Sequence, residues 1–418
     1  MALSEAPVPR LSAWRVVWWF GFVSLAADMV YEGARSMYGP VLAALGASAV
    51  VVGVVTGAGE AMALVLRLVF GPVADRTGRY WTLTIVGYGL TAVCVPLLFV
   101  APRLGSAGLA FAVTMILLER LGKAVRSPSK SALLAHVAGA VGRGRGFGVH
   151  KALDQVGAFA GPLLVAAVVA ASTLWAGMAV LAIPGAIAMV LLLTLRHRVP
   201  DPSVYDPSAA PAAPDSAEAT PQRGWWAEAA GAGLPGDFFR YAVAASLTTG
   251  ALVTFGIIGY HLTVEGIVPV AAVSLVYATA MAVEAVAALL VGWAYDRVGA
   301  RILLVVPVLV AVVPALALGP TLAVVVAGVV VWGFAHGVQD STIKAAVADL
   351  VEAPRRATAY GVFAGIQGLL AIIGGAGAGW LYERSLTSLV VVVVLSQVVA
   401  LALLLQTFRR TARRSRAG

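Results

Sequence analysis

Charge is scarce in this chain of 418 residues: Asp, Glu, Lys and Arg make up 12% of it, about half the share usual in soluble domains. That excludes an ordinary water-soluble enzyme. A lone cysteine, Cys94, leaves no internal disulfide to form. No GxxxxGK[ST] loop occurs, so the chain has no ATP-driven motor of its own. The five histidines never form HExxH, no GxSxG elbow exists, and no His- or Cys-rich tract offers a metal site. No enzymatic activity, cofactor or metal is therefore expected. Stretches of about ten alternating residues, the mark of a transmembrane barrel, are also missing.

What the chain has is apolar length. It is 60% hydrophobic, with a mean hydropathy of +0.92. A bilayer is crossed by about 20 apolar residues. Gln155–Leu195 carries no charged residue, is too long for one span, and divides at Ala171-Ser172-Thr173. Ile302–Gln339 divides likewise at Gly319-Pro320. Single spans are expected at Trp81–Ala101, Tyr241–Val264, Ala357–Tyr382 and Ser385–Phe408, and charge-bearing ones near 14–44, 48–70, 106–136 and 268–291. The expectation is an all-α integral membrane protein of twelve transmembrane helices. Val16–Ala27 has the length of a signal-peptide core, yet only its retention as a first helix divides the chain into two sixes.

Lys and Arg set the orientation. Only Arg103 and Arg384 fall in loops opposite the termini, which places both termini in the cytoplasm of a cell with the chain in its inner membrane. The net charge of +9 is thus a topology signal, and the basic tail at 409–416 needs no nucleic-acid partner. Residues 197–235, rich in Pro, Ala and Asp, lack apolar periodicity and read as a flexible cytoplasmic linker. Trp225-Trp226 near its end suits lipid headgroups. The expected domains are a six-helix bundle at 1–196, the linker at 197–235, and a second bundle at 236–418.

The halves repeat one another. GPVADRTGRY at 71–80 matches GWAYDRVGAR at 292–301, RGFGV at 145–149 faces TAYGV at 358–362, and Gly161 then aligns with Gly374. Internal duplication with a site at the midplane is how many secondary transporters are built.

On these residues the chain resembles the major facilitator superfamily along nearly its full length. The loop GPVADRTGR, with Gly71, Asp75, Arg76, Gly78 and Arg79, is similar to that family's signature loop, and Gly292, Asp296 and Arg297 form a weaker second copy. The resemblance implies a latch that holds the outward-open state. Gly71 suits a close helix approach, and Asp75 could accept a hydrogen bond or face a helix N-terminus. In the fifth helix, Gly148, Gly157, Gly161 and Pro162 match most of the glycine signature of the family's drug/proton antiporter-type exporters, which the chain ends with Val165-Ala166 in place of two glycines. Plain helix packing through Gly157 and Gly161 with a kink at Pro162 would also account for them. Arg120 sits roughly where the family has an intramembrane arginine.

Seven acids lie inside expected spans: Asp28, Glu32, Glu60, Glu119, Asp154, Glu284 and Asp340. Each would cost about 2.5–3.5 kcal/mol facing lipid, so they must face a cavity or a partner. Asp28, Glu32 and Arg35 share one face of the first helix, Glu119, Lys123 and Arg126 one face of the fourth, and His336, Asp340 and Lys344 one face of the tenth. His150, Lys151 and Asp154 cluster in the fifth. Glu119–Lys123 is expected to be a structural pair. Glu60 and Glu284, with no base within a turn, are expected to be unpaired, and Asp28–Glu32 to be the closest acid pair. These residues, with Arg120, form the expected proton-coupling cavity.

The expected activity is proton-driven efflux of a small amphipathic or cationic molecule by a transporter acting as a monomer. Proton-coupled uptake or facilitated passage of a small metabolite is the alternative, and a non-transporting membrane sensor a more distant one.

Overall fold

The computed structural model describes residues 11–205, 233–352 and 355–417. Of the expected linker at 197–235, residues 206–232, including Trp225-Trp226, lie outside the described residues, as do the side chains at Asp296, Lys344 and 411–417. Its first residues are not a free tether, since Val199 and Tyr205 are buried and Tyr205 donates to the Leu11 carbonyl at 2.7 Å.

The described chain is helical throughout. Its spans are α1 (Ala13–Arg35, continued by Tyr38–Ala44), α2 (Ala49–Val65 and Arg67–Thr77), α3 (Tyr80–Leu97), α4 (Gly108–Val141), α5 (Arg143–Ala171) and α6 (Leu174–Ala179 and Ala182–Arg198). A second six follows: α7 (Gly236–Ala251 and Phe255–Val264), α8 (Val270–Val298), α9 (Val305–Ala317), α10 (Leu322–Leu350), α11 (Arg356–Arg384) and α12 (Leu386–Ala417). Eleven stretches are long and apolar enough to cross a membrane, and one of them, Tyr80–Val141, holds both α3 and α4. The breaks expected at 171–173 and 319–320 are present. Thr173 caps α6 by accepting from the Ala176 N–H at 3.1 Å, which satisfies an orphan donor of the first turn. Gly78, at φ 63°, ends α2 in the left-handed conformation that a side chain would oppose.

Both sixes pack alike. α1 lies on α5 and α6, as α7 lies on α11 and α12, and α2 meets α4 as α8 meets α10. Gly161 sits against the backbone of Met29 in α1, and its repeat partner Gly374 against that of Gly250 in α7. Small residues let these backbones approach where no side chain could fit.

α1 breaks at 36–37 and α7 at 252–254. The second break frees the Val253 carbonyl, which accepts the buried Trp332 indole N–H at 2.7 Å and so is not stranded. The Ser36 and Ser274 hydroxyls, 2.7 Å apart, and those of Thr56 and Thr254, 2.8 Å apart, join the halves near these breaks.

The halves meet closely on the side away from the termini. A methyl at Gly39 would strike the Gly256 carbonyl and Tyr260, one at Gly53 the Gly375 carbonyl, and one at Gly379 that of Ala49. Toward the termini, a methyl at Gly148, Gly361 or Gly365 would meet nothing within 4 Å. The halves are thus in backbone contact on the far side, where a cleft of about 550 Å³ between Pro40, Ala44, Val169, Thr263 and Pro269 also lies, and these glycines toward the termini make no such contact.

Candidate functional site

Polar side chains gather in the middle of the first bundle because α1, α2 and α4 each carry charge along an inward face. Arg35 Nη2 lies 2.8 Å from Glu60 Oε1, and Arg35 Nη1 3.8 Å from Glu32. Arg120 reaches Glu60 at 3.5 Å and Glu119 at 3.4 Å. The result is an alternating chain, Glu32–Arg35–Glu60–Arg120–Glu119, across three helices. Alternation offsets the cost of burying each ion. Arg120 also donates to the Tyr31 hydroxyl, and Tyr38 and Thr91 donate to Glu119 at 3.4 and 3.5 Å. From the other bundle, the Tyr277 hydroxyl in α8 donates to Glu32.

Three expectations change here. Glu60 is held by two arginines from other helices, so it is not unpaired; sequence spacing sees only neighbours one turn away. Glu284 lies 3.2 Å from Nδ1 of His336 in α10, whose ring stacks on Trp332 at 5.1 Å. Glu119 pairs with Arg120, not Lys123, because Lys123 turns to the Tyr31 ring, 3.7 Å from its centroid.

A second cluster lies nearer the termini. Asp28 in α1 is an electrostatic neighbour of Asp154 in α5 and of Lys130 and Arg126 in α4. The Ser24 hydroxyl donates to Asp154 at 2.7 Å, Lys130 to Ser24 at 3.2 Å, and Lys151 pairs with Asp154 at 3.4 Å. The acid that neighbours Asp28 across the helices is thus Asp154. Asp28 and Glu32 are one turn apart, but the inter-helix contact of α1 with α5 decides which carboxyl faces which. Asp340 in α10 is exposed, and its electrostatic neighbours Arg67, Lys151 and Glu284 lie in both bundles.

The signature segment is mostly helix. Gly71, Asp75 and Arg76 belong to α2, and only Gly78 and Arg79 form the turn. Nothing approaches Gly71 closer than Pro128 of α4, 4.0 Å from an added methyl, so the close helix approach expected of it is not made. Asp75 accepts from the Tyr80 hydroxyl at 3.0 Å, which is not a helix N-terminus contact. Arg297 stacks on Trp293 at 3.5 Å. In α5, Gly157 and Gly161 press on the backbone of Leu25 and Met29, Pro162 lies within the helix, and Gly148 faces open space.

Tyr31, Ser24, Lys130, Arg67 and Tyr277 join these clusters without having been singled out in the sequence. Their spacing carried a signal: Arg67 lies seven residues after Glu60, Lys130 seven after Lys123, and Tyr277 seven before Glu284, each on the same helical face.

Glu119→Gln should destabilise the fold, because Glu119 is fully buried and partly compensates Arg120. Breaking a buried pair costs about 3–5 kcal/mol. A loss of melting temperature on the order of 10 °C is expected in detergent; an unchanged value would mean Glu60 suffices.

A twelve-span helical fold with two matching sixes now stands beside a sequence match: the profile of the Major Facilitator Superfamily covers residues 20–267 and 238–417. This chain belongs to the Major Facilitator Superfamily. It is 48% identical over 408 residues to an uncharacterized protein of Mycobacterium tuberculosis, covering 97% of this chain and 96% of that one. An uncharacterized MFS-type transporter of Methanocaldococcus jannaschii is 28% identical over 148 residues, 35% of this chain and 36% of that. Among solved structures, the nucleoside transporter NupG superposes with a TM-score of 0.68 at 16% identity, covering 94% of this chain and 99% of that one. A POT family transporter in complex with 5-aminolevulinic acid gives 0.74 at 13% identity, covering 94% and 96%. At such identities the structural likeness speaks for the fold. Family and fold together make the chain a multi-pass membrane transporter.

Proposed function

We propose that this superfamily member is a proton-coupled secondary transporter that carries a small molecule by alternating access. The observation that carries the coupling is the cluster of Asp28 and Asp154 across α1 and α5, in which Ser24 donates to Asp154 at 2.7 Å and Lys151 pairs with it at 3.4 Å: two neighbouring carboxyl groups repel one another unless one holds a proton. A group that must be protonated in one conformer and exposed in another is what coupling needs. The bundles at 1–196 and 236–418 rock about the linker at 197–235, and Asp75, Arg76, Gly78 and Arg79, with the weaker copy at Asp296 and Arg297, latch the terminal side when it closes.

The glycine pattern of α5 favours outward movement, and hence efflux. Uptake by symport is the second reading, favoured by the packing of Gly157 and Gly161 on α1, which accounts for those glycines without any exporter role. The cationic cargo expected from the sequence is not carried into this proposal, because the cavity of the first bundle is rich in bases.

Proteoliposomes test the reading with labelled tetraphenylphosphonium, glucose and succinate under pH gradients of either sign. Accumulation into an acidic lumen is expected and marks antiport; accumulation into an alkaline lumen marks symport. Counterflow without a pH response would overturn coupling, and no counterflow of any probe would favour a sensor.

A further inference from the structure

Among the described residues, the ion pairs of the first bundle leave Arg67, Lys123, Arg126 and Lys130 with no carboxylate at ion-pair distance; Lys130 has Asp28 and Asp154 as electrostatic neighbours and Arg126 has Asp28. Arg67 projects from α2 with a buried Nε that has no hydrogen-bond partner, and Arg126, Tyr31, Glu60 and Asp340 are its electrostatic neighbours. Arg126, in α4, is 4% exposed; it donates to Thr91 and lies 4.7 Å from the Tyr88 ring centroid. Lys123, one turn before it, covers the Tyr31 ring. That ring also lies under Arg120, 4.6 Å from its centroid. The two helices meet here, Gly71 facing Pro128. Glu60 does not neutralise Arg67, Lys123 and Arg126, since Arg35 and Arg120 already hold it.

Cations buried in neighbouring spans cost free energy on insertion unless an anion joins them, and Arg67 and Arg126 are near enough to repel. Aromatic faces and hydroxyls hold the cations in place, but they supply no counter-charge. Asp340 of the second bundle is an electrostatic neighbour of Arg67.

We infer that the cavity of this transporter takes a small organic anion, its carboxylate or phosphate held by Arg67, Lys123 and Arg126. A guanidinium suits such an oxyanion because its donors match two oxygens at once, and the lysine adds a point charge. The inference rests on the transporter reading above and names its cargo class.

Binding and counterflow of the same probes separate the two. The purified full chain in detergent is titrated with succinate, glycerol 3-phosphate, tetraphenylphosphonium and uridine, with thermal stabilisation as the readout. Saturable stabilisation is expected from at least one of the two anions and from neither the cation nor the nucleoside, weakening as salt rises. Arg67→Gln and Lys123→Gln should each weaken that binding about tenfold or more, while Arg67→Lys, which keeps the charge and loses the fork, should fall between. Arg126→Gln is buried and is scored only where it remains monodisperse; the other two variants decide the matter. Anionic lipid added to neutral micelles should compete with the free anion weakly or not at all. Strong competition by lipid would reassign the site to a headgroup and overturn the cargo. Stabilisation by tetraphenylphosphonium alone, no response to either anion, or unchanged affinity in both Gln variants would also overturn it. Counterflow of a non-anionic probe would then leave the transporter reading standing, whereas absence of all counterflow would remove that reading as well.

Discussion

Asp28→Asn is expected to abolish accumulation driven by a pH gradient while leaving counterflow intact. The asparagine amide can still donate a hydrogen bond to Asp154, so it mimics a permanently protonated Asp28 without stranding Lys130 or Lys151. Substrate binding and the rocking of the bundles then survive, but no proton is released. One proton per cycle sustains about tenfold accumulation per pH unit, so the accumulation ratio should fall from about ten to one under a unit gradient. Asp154→Asn should produce the same loss with an added stability defect, because Lys151 loses its carboxylate partner and Ser24 its acceptor. Initial rates in proteoliposomes, with and without the gradient, make the measurement. Full pH-driven accumulation in Asp28→Asn would send the coupling elsewhere, and the remaining exposed intramembrane acid, Asp340, would be the next residue to test.

Gly53→Ala is expected to drive the protein out of the conformer described here. The added methyl would overlap the Gly375 carbonyl across the α2–α11 contact, and backbone cannot yield as a flexible side chain can. Overpacking of this kind costs about 1–3 kcal/mol, and each 1.4 kcal/mol shifts a two-state equilibrium about tenfold. The far side should open, since parting α2 from α11 there is the cheapest relief. Ser36→Cys in a Cys94→Ser background reports it: Ser36 is fully buried and lies against Ser274 of the other bundle in the closed arrangement. Its labelling by a water-soluble maleimide should accelerate about tenfold when Gly53→Ala is added. Gly365→Ala is the control, because its methyl would meet nothing within 4 Å, and it should leave the rate unchanged. Equal rates in both would mean that the closed far side is not the dominant state.

Hydropathy alone determined the helices. Runs such as Gln155–Leu195 admit no other structure in a bilayer, since a backbone without water must satisfy its own hydrogen bonds. The duplicated segments at 71–80 and 292–301 determined that there are two sixes, and the position of each acid along its helix was equally readable. What the sequence could not determine is which charge answers which. A single chain shows contacts three or four residues apart, and these suggested Glu119 with Lys123, Asp28 with Glu32, and an unpaired Glu60. Two of these proved to be governed by helices 25 to 126 residues distant, Arg35 and Arg120 on Glu60 and Asp154 beside Asp28, while Glu119 took its own neighbour Arg120. Burial makes the difference. In a low-dielectric interior a charge takes the partner that packing brings within reach, and packing in this fold is set by where glycines such as Gly157, Gly161 and Gly374 let backbones touch. The inventory of charges was therefore a property of the sequence, while their pairing was decided only when the helices closed around them.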